Sequence, residues 1–520
     1  MDYKKLSLED AAVQGMAVAS HAASRPNDIA VRDMLGGQIT WQELNSAANK
    51  LANFFLRLGL QHDDGVALLC SNRMEFAIVL AATQRTGMRI TPINWHLTEE
   101  EVSYIVDNSD AKVFIAEAKY KASAEFTAKE NRELLSCLSI GGEISNFSDF
   151  HASIAVFDAS NLTNPTRGGA MLYTSGTTGR PKGVYVRQRP PTLPAPERGL
   201  GKSSVTLCLG PAYHAAPLAI DVLLTIVSGG ELVFMDRFDP EYALELIDNY
   251  KVTHCHMVAT MFHRLLHLDQ SVKDKYDISS LQLIIHGAAP CPVHVKKAMI
   301  NWVGPILLEY YAATEGGGGF LIGSEEWLKK PGSVGCPGPE FDNKILDDEG
   351  KEVTQGKVGT IYMRAPETGR FHYYKDESKT SSSYRGDYFT LGDMGYFDED
   401  GYLFLTGRTA ELIISGGVNI YPQEVDSALM QHPAVHEVCT IGVPNDEWGE
   451  EVKSVIQLSS EITPSQELVD DLMTFVRKNI AGYKCPRSID FADELPRLPT
   501  GKIQRRLVRK PYWADREKSI

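Results

Sequence analysis

A run of small hydroxyl residues and glycines at positions 173–184 carries the strongest chemical signal in the chain. It reads Tyr173-Thr174-Ser175-Gly176-Thr177-Thr178-Gly179-Arg180-Pro181-Lys182-Gly183-Val184. Glycines let successive backbone N–H groups converge on an oxyanion, and hydroxyl and ammonium groups add further donors. The segment lacks the G-x-x-x-x-G-K-[ST] pattern of a Walker A loop, and clusters of Gly, Ser and Thr are also common in polar turns. The residues alone therefore leave two interpretations open, a phosphate-binding loop and a polar turn.

Further short motifs follow in the second half of the chain. They are Tyr311-Ala312-Ala313-Thr314-Glu315, Leu391-Gly392-Asp393-Met394-Gly395, Gly401-Tyr402-Leu403 followed by Gly407-Arg408, Ser415-Gly416-Gly417-Val418-Asn419-Ile420-Tyr421-Pro422-Gln423-Glu424-Val425, and Pro496-Arg497-Leu498-Pro499-Thr500-Gly501-Lys502-Ile503. With residues 173–184, and in the same order, they resemble the signature segments of the adenylate-forming superfamily, which includes acyl-CoA synthetases, adenylation domains and luciferases. Weaker likeness starts near residue 40, so the resemblance covers nearly the whole chain. A single aspartate or arginine in a turn is usually solvated surface, and it is the ordered set that indicates function.

The resemblance implies a nucleotide site and its residues. The β- and γ-phosphates of ATP would be held by Thr174, Ser175, Gly176, Thr177, Thr178, Gly179 and Lys182. The adenine would lie against Gly287, Ala288, Ala289 and Tyr311, and the ribose hydroxyls would bind Asp393 with Arg408 beside it.

The resemblance also implies the reacting groups. Thr314 would donate to the α-phosphate, and Lys502 would bridge that phosphate and the carboxylate substrate. Glu315 would bind Mg²⁺, a metal ion that prefers hard oxygen ligands shared with substrate phosphates. Tyr213-His214 resembles a segment whose histidine lies near the acyl carboxylate, although a lone histidine is as often a hydrogen-bonded filler.

A thiol co-substrate is implied by the C-terminal motifs. Gly416 and Gly417 would line the tunnel for the pantetheine arm of coenzyme A, and Lys484 belongs to a Y-K-x-P segment near that cofactor. Three features depart from the family pattern: Ala312 replaces a glycine, Ala410 stands at the usual hinge position, and four glycines follow Glu315 at 316–319. The glycine run is interpreted either as a loop or as a wall without side chains beside the acyl pocket.

The activity that the resemblance implies is an AMP-forming acid–thiol ligase. A carboxylic acid and ATP would give an acyl-adenylate, and coenzyme A would then give the thioester. Within the superfamily the chain most resembles bacterial bile acid–coenzyme A ligases, which predicts a bulky acid as substrate. Medium-chain or aromatic acids, loading of a carrier protein and a catalytically silent sensor of acyl groups or nucleotides are the alternatives. The chain ends at Ile520, soon after Lys502, which argues against a fused carrier module.

Composition narrows the class of protein. The chain has 520 residues and a net charge of −15. A negatively charged protein repels the phosphate backbone of nucleic acid on average, so nucleic acid is an unfavourable partner. Its eight cysteines show no regular spacing, which is typical of a reduced intracellular protein, and no apolar run reaches the ~18–20 residues that cross a bilayer. These features predict a cytoplasmic protein without a transmembrane segment. They leave its oligomeric state open.

The elements that position these residues are predicted to alternate strands and helices. Buried strands are expected at residues 65–70 and 113–116, with a capping box at Thr98-Glu99-Glu100-Glu101 before a helix. This alternation predicts an α/β fold with a large N-terminal domain of layered α/β subdomains, residues 1–408. After Arg408, strands at 438–443 and 454–458 and a helix with Pro464 at its first position predict a small, mobile α+β domain, residues 409–520.

A proline-rich stretch at 188–201 interrupts the larger domain. It is interpreted as a surface loop with a spacer role. The nearby cations Arg180, Lys182, Arg187 and Arg189 are assigned partly to the phosphate loop and otherwise to a solvated face.

Overall fold

The computed structural model of the protein describes residues 6–174, 181–187, 189–460, 462–498 and 502–514. Five residues predicted to bind phosphate, Ser175, Gly176, Thr177, Thr178 and Gly179, lie outside the described residues.

The helices, numbered in chain order, have the following bounds: α1 Leu8–Val13, α2 Ala17–Ser24, α3 Trp41–Arg57, α4 Met74–Thr86, α5 Glu99–Asn108, α6 Lys121–Glu130, α7 Phe150–Ala155, α8 Leu224–Ser228, α9 Pro240–Tyr250, α10 Ala259–Leu266, α11 Gln270–Lys273, α12 Val293–Val303, α13 Ser324–Lys329, α14 Glu377–Ser383, α15 Pro422–Leu429, α16 Gln466–Asn479 and α17 Arg505–Arg509. A π-helical segment, Pro217–Leu223, leads directly into α8.

The strands are β1 Ile29–Arg32, β2 Gln38–Thr40, β3 Gly65–Leu69, β4 Arg89–Pro92, β5 Ala111–Glu117, β6 Ser136–Ile140, β7 Ser148–Asp149, β8 Gly169–Ala170, β9 Leu172–Thr174, β10 Lys182–Tyr185, β11 Val205–Cys208, β12 Glu231–Phe234, β13 His254–Met257, β14 Leu283–His286, β15 Leu307–Ala313, β16 Gly316–Gly323, β17 Asn343–Leu346, β18 Gly359–Arg364, β19 His372–Tyr373, β20 Tyr384–Arg385, β21 Tyr388–Phe389, β22 Asp393–Phe397, β23 Leu403–Arg408, β24 Ile413–Ser415, β25 Val418–Ile420, β26 Val435–Asn445, β27 Gly449–Leu458 and β28 Ser488–Phe491.

The N-terminal part contains an antiparallel sheet with the order β20-β21-β18-β22-β23, with β17 pairing with β18, in which β22 and β23 carry Asp393 and Arg408. A small sheet has the order β19-β10-β9. Two further, large sheets have parallel centres, as the sequence predicts. One has the strand order β7-β6-β5-β3-β4-β8 and is parallel throughout its described strands. The other has the order β16-β15-β14-β13-β11-β12-β1-β2, with antiparallel pairs at both edges. Strands β3 and β4 are buried along their whole length, as apolar runs covered on both faces must be.

Local sequence signals explain several element boundaries. The capping box predicted before α5 is confirmed: the Thr98 hydroxyl accepts from the Glu101 N–H, and the Glu101 carboxylate accepts from the Thr98 N–H. The predicted start of α16 is wrong by two residues. Ser465 caps this helix through the Leu468 N–H, so Pro464 precedes the cap instead of occupying the first helical position.

The C-terminal part has a sheet and a core of its own. Its strands follow the order β25-β24-β27-β26, with β28 pairing in parallel with β27. The predicted strands at 438–443 and 454–458 are confirmed as parts of β26 and β27. Side chains of α15 and α16, among them Val425, Leu429, Leu472 and Val476, pack on this sheet. The fold is therefore the expected large α/β part followed by a small α+β part.

No helix among the described residues is both long and apolar enough to cross a bilayer.

Candidate active site

A cavity of about 290 Å³ lies where the N-terminal and C-terminal parts meet. Its lining includes Ala288, Ala289, Tyr311, Ala312, Asp393 and Arg408 from the larger part and Glu411, Lys502 and Arg505 from the smaller part. Strands β14 and β15 are adjacent and parallel, so the residues that follow their carboxyl ends lie side by side at this cavity. Ligands of open α/β sheets bind at this edge.

Asp393 is held between two of the predicted nucleotide-binding residues. The Tyr311 hydroxyl donates to one carboxylate oxygen at 2.8 Å, and the Arg408 Nε contacts the other at 2.8 Å. Burial and the negative charge of Asp393 raise the pKa of the Tyr311 hydroxyl, so it stays a donor. Because each carboxylate oxygen has a second acceptor site, this arrangement leaves Asp393 free to accept two sugar hydroxyls.

Lys502 reaches the same cavity from the C-terminal part. Burial lowers the pKa of its ammonium, and the charge of Arg408 lowers it further, while Glu411 and Asp393 act in the opposite direction. The predicted catalytic lysine, ribose-binding aspartate and neighbouring arginine, which are spread over 110 residues of sequence, are therefore brought together.

The segment Gly287-Ala288-Ala289 follows β14 directly and borders the cavity through its two alanines. A Cβ on Gly287 would lie 2.6 Å from the Tyr310 ring, so only glycine fits beside β15. Ala288 has φ +64°, a left-handed conformation that costs free energy for an alanine and that recurs at functional sites.

Thr314 and Glu315 form the turn between β15 and β16. One carboxylate oxygen of Glu315 accepts from the Tyr373 hydroxyl at 2.8 Å. The Lys182 ammonium lies 5.7 Å from the centre of the Tyr373 ring. Tyr373 thus connects the predicted Mg²⁺ ligand with the predicted phosphate-binding lysine, and our sequence reasoning missed it because a single tyrosine carries no spacing signal.

The donor set around Glu315 fits Mg²⁺. Its second carboxylate oxygen and the neighbouring Thr314 hydroxyl are hard oxygen donors. No group of three or more His, Cys, Asp or Glu side chains suited to a metal ion occurs in the part of the chain that the structure describes. Mg²⁺ that shares its coordination with nucleotide phosphates needs only one or two protein carboxylates.

Thr174 and Lys182 mark the two ends of the glycine-rich segment. They are paired across the antiparallel strands β9 and β10. Burial lowers the pKa of the Lys182 ammonium, and the charge of Lys379 adds to this effect. The hairpin therefore holds a threonine and a lysine at the base of the predicted phosphate loop.

His214 follows a turn in which its N–H donates to the Pro211 carbonyl. Its Nε2 is buried and has no hydrogen-bond partner among the described residues. Burial, with a smaller contribution from His96, lowers the pKa of the ring to about 4, so it is neutral at pH 7. His214 is not among the described residues that line the cavity, but its unsatisfied ring nitrogen marks it as available to a ligand.

The predicted thiol-site residues lie outside the cavity. Gly416 and Gly417, with φ of +57° and +78°, form the exposed turn between β24 and β25, where a Cβ on Gly417 would meet no atom within 4 Å. The Lys484 ammonium makes two contacts with the Glu424 carboxylate, at 2.6 and 2.8 Å. In this arrangement Tyr311, Asp393, Arg408 and Lys502 share the cavity, whereas Thr174, Lys182, Thr314 and Glu315 are not among its lining residues. The residues predicted for the thiol step lie apart from the cavity.

The interpretation of the glycine run as an open wall is wrong at two positions. A Cβ on Gly318 would lie 2.3 Å from Asn343 Oδ1 and 2.6 Å from the Phe320 ring, and one on Gly319 would lie 2.1 Å from the Phe341 ring. These glycines let neighbouring side chains pack against β16. The small residues that do line the cavity include alanines 259, 288, 289, 312 and 313 and Gly407.

Comparison with known proteins agrees with this geometry. Residues 18–373 match the family model described as "AMP-binding enzyme", and residues 424–502 match the "AMP-binding enzyme C-terminal domain". A feruloyl-CoA synthase of Amycolatopsis sp is 30% identical over 507 residues, covering 94% of this chain and 97% of that protein. A long-chain-fatty-acid–CoA ligase of Bacillus subtilis is 30% identical over 531 residues, covering 94% and 93%. The crystal structure of an anthranilate CoA ligase in complex with anthranoyl-AMP superposes with a TM-score of 0.85 at 25% identity, covering 98% of this chain and 99% of that one.

The chain therefore belongs to the AMP-binding enzyme family. It has the adenylate-forming fold and is an enzyme of the acyl-CoA ligase class, whose members use ATP, Mg²⁺ and coenzyme A.

Proposed function

We propose that this ligase activates a bulky, ring-bearing carboxylic acid of the bile-acid type and transfers it to coenzyme A. The observation that carries the proposal is the convergence of Lys502, Arg408, Asp393 and Tyr311 on one cavity whose lining also includes the apolar side chains of Val295, Ala312, Val334, Leu405 and Met430. The charged groups suit adenylation, and the apolar side chains suit the body of a rigid acid.

In the first half-reaction a carboxylate oxygen attacks the α-phosphorus of ATP, and the bond to pyrophosphate breaks. Asp393 and Tyr311 orient the nucleoside. The buried Lys502 ammonium offsets the negative charge that grows on the α-phosphate, as a preorganised donor in a site that excludes water does effectively. Thr314 donates to the same phosphate, and Thr174 and Lys182 hold the leaving pyrophosphate.

Glu315 would hold Mg²⁺, which supplies further charge neutralisation at the phosphates when bound. Tyr373 keeps the Glu315 carboxylate in place by occupying one of its oxygens.

In the second half-reaction the thiol sulfur attacks the acyl carbon, the thiol proton is lost and AMP leaves. For this step we propose that residues 409–520 rotate against residues 1–408, so that Lys502 withdraws and the turn at Gly416 and Gly417 approaches the acyl group. The exposure of that turn supports the proposal, because nothing has to be displaced before it moves. His214, neutral at pH 7, would contact the acyl carboxylate as a hydrogen-bonding group.

An aromatic acid is the second candidate. It is supported by the names of two similar proteins, the feruloyl-CoA synthase and the anthranilate CoA ligase. Apolar pockets discriminate weakly by added methylenes, about 1–3 kcal/mol each, whereas a rigid ring that clashes with a wall cannot rotate away from it.

A panel of acids separates these candidates. Cholate, ferulate and octanoate are compared by AMP release with ATP and Mg²⁺, each with and without coenzyme A. The proposal expects the highest kcat/KM for cholate and AMP release that requires coenzyme A. Preference for ferulate or octanoate would refute the bile-acid assignment, release that requires a carrier protein would refute the thiol assignment, and absence of pyrophosphate release with any acid would indicate a sensor.

A variant tests the width of the cavity at Ala312. Ala312→Leu should raise KM for cholate far more than for hexanoate, because the larger side chain enters the cavity. Gly318→Val serves as the contrast: its Cγ atoms would meet Asn343 and Phe320, so it should lower the melting temperature without changing the preference between acids.

A further inference from the structure

A second cavity, of about 90 Å³, lies in the N-terminal part. It is bordered by α1 and α2, by α4, by residues 167–172 and 189–192, and by the π-helical segment that precedes α8. It shares no lining residue with the cavity that contains Lys502. Since a water needs roughly 10–15 Å³ measured in this way, the space is larger than a packing defect.

The walls of this cavity are apolar and built largely from small side chains. They include Ala12, Ala17, Val18, Leu80, Ala81, Ala170, Ala215, Leu218, Ala219 and Leu223. Ala219 is exposed and so marks a side that opens to solvent. The surface is of a kind that binds the apolar body of a ligand.

Two arginines line the same cavity, and no aspartate or glutamate among the described residues does. The Arg167 guanidinium donates to the Arg189 carbonyl at 2.6 Å. Arg189 Nε is buried without a hydrogen-bond partner. Arg189 is thus partly buried and partly exposed, and burial lowers the pKa of both guanidinium groups.

A guanidinium whose Nε is buried without a hydrogen-bond partner among the described residues is unfavourable, because the desolvation of that donor is not offset. A bound anion would remove this cost, and a guanidinium matches the two oxygens of a carboxylate. We propose that this cavity, the arginine pocket, binds an amphipathic carboxylate, with its head group on Arg189 and Arg167 and its apolar body against the alanines.

Such a carboxylate has two sources. It is either the distal end of a dicarboxylic acid substrate, reaching past Ala215 from the neighbouring His214, or a separate fatty acid molecule that binds independently of catalysis. The chemistry of recognition is the same for both, and the experiment below distinguishes them.

The probe is octanoate, and octanol of the same length serves as the uncharged control. Binding of each to the full-length protein is measured by isothermal titration calorimetry. Arg189→Gln should weaken octanoate binding about tenfold or more, since a charge-assisted bond is lost, and should leave octanol binding unchanged. Arg198→Gln lies in the same proline-rich stretch, but Arg198 is paired with Glu197 and does not line the cavity; it is the matched control and should change neither.

A second pair of measurements guards against misfolding. Ala219→Leu fills the pocket while leaving both arginines in place, and it should weaken octanoate and octanol alike. Arg189→Gln should leave the melting temperature unchanged or raise it, because it removes a buried Nε donor that has no hydrogen-bond partner among the described residues. Octanoate binding that is unaffected by both variants, or octanol binding as tight as octanoate, would overturn the proposal.

The source is resolved by filling the catalytic site with a sulfamoyl-adenosine analogue of the acyl-adenylate. An analogue with an acetyl group should not displace octanoate. Displacement only by an analogue carrying a long ω-carboxyalkanoyl group assigns the pocket to the distal end of the substrate, and displacement by neither assigns it to a separate ligand. Displacement by both would mean that the probe sits in the catalytic cavity, and the arginine pocket would be refuted.

Discussion

Replacement of Lys502 by alanine gives the sharpest test of the site. The ammonium lies in the shared cavity beside Arg408 and Asp393, where it can neutralise charge on the α-phosphate only while adenylation proceeds. Loss of one preorganised donor of this kind typically costs about 3 kcal/mol, which is on the order of 10²-fold in rate. Lys502→Ala should therefore slow acyl-adenylate formation by about that factor and leave thioester formation from synthetic acyl-adenylate intact.

Stability should not confound this comparison. Burial lowers the pKa of Lys502 below its value in the unfolded chain, so the unfolded state binds the proton more tightly. Holding the charged lysine in the folded protein at neutral pH is therefore unfavourable, and this cost disappears only as the pH rises through the folded pKa. Removing the side chain should leave the melting temperature unchanged or raise it.

The assays are pyrophosphate release for the first half-reaction and acyl-CoA formation from added acyl-adenylate for the second. Lys510→Ala removes an exposed lysine from the same C-terminal segment and should affect neither. Since the pKa of Lys502 is lowered, pyrophosphate release should decline at a lower pH than an ordinary lysine titrates, and Lys502→Arg should shift that decline upward. Equal damage to both half-reactions would refute the assignment of Lys502 to adenylation alone.

Three further results are expected. Tyr373→Phe should raise the Mg²⁺ concentration needed for half-maximal rate, because its hydrogen bond to the Glu315 carboxylate contributes about 1.5–3 kcal/mol. Tyr374→Phe should not, because the Tyr374 hydroxyl donates to Asp110 instead. Equal Mg²⁺ titrations of the two variants would count against the role of Tyr373. Gly417→Leu should block thioester formation while hydroxylamine still traps acyl-adenylate. Gly386→Leu controls for backbone strain, because Gly386 is an open turn glycine with φ +61°. Intact turnover of Gly417→Leu with coenzyme A would exclude the turn at Gly416 and Gly417 from the tunnel. Burial lowers the pKa of His263 to about 3, whereas the unfolded value is about 6.5. As the pH falls below about 6.5, the unfolded state takes up the proton first, so the free energy of unfolding should fall by up to about 1.4 kcal/mol per pH unit. His263→Asn should make the melting temperature depend less on pH, and an unchanged dependence would contradict this.

The sequence predicts the fold well where local patterns decide it. Apolar runs such as Gly65–Leu69 are buried parallel strands, and the threonine and glutamate before α5 form the expected capping box. Residues such as Asp393 and Lys502 could be selected because each lies in a motif whose order along the chain is distinctive. Their convergence on one cavity agrees with that selection.

Features that depend on contacts between distant segments could not be predicted. Tyr373 lies 58 residues after the carboxylate that it contacts. From the sequence, Gly318 looks like a glycine that leaves room in a pocket. In the structure, the position that a Cβ on Gly318 would take is occupied by atoms of Asn343 and Phe320. Arg189 belongs to a proline-rich loop that looks solvated, but it lines a cavity together with residues of α4 and of the π-helical segment. Periodicity along the chain carries no information about any of these neighbours.

The contacts around residues 408–411 bear on where the proposed rotation between the two parts would occur. On one side, Arg408 is paired with Asp393, and the Thr409 N–H donates to the Gly392 carbonyl at 2.9 Å, so both residues are fixed to the larger part. On the other side, Glu411 is paired with Arg505 at 3.1 Å, which ties it to the smaller part.

Arg505 is itself held by Asp426 at 2.8 Å, so the connection on the C-terminal side extends into α15 and its core. Ala410 lies between these contacts in a single 3₁₀ turn, Thr409–Glu411, which is closed by a hydrogen bond of 3.4 Å from the Leu412 N–H to the Thr409 carbonyl. Its backbone torsions can therefore change at the cost of that one long hydrogen bond, and its small side chain is exposed. We therefore expect the rotation that separates Lys502 from the cavity to take place at Ala410, with both flanking ion pairs intact before and after it.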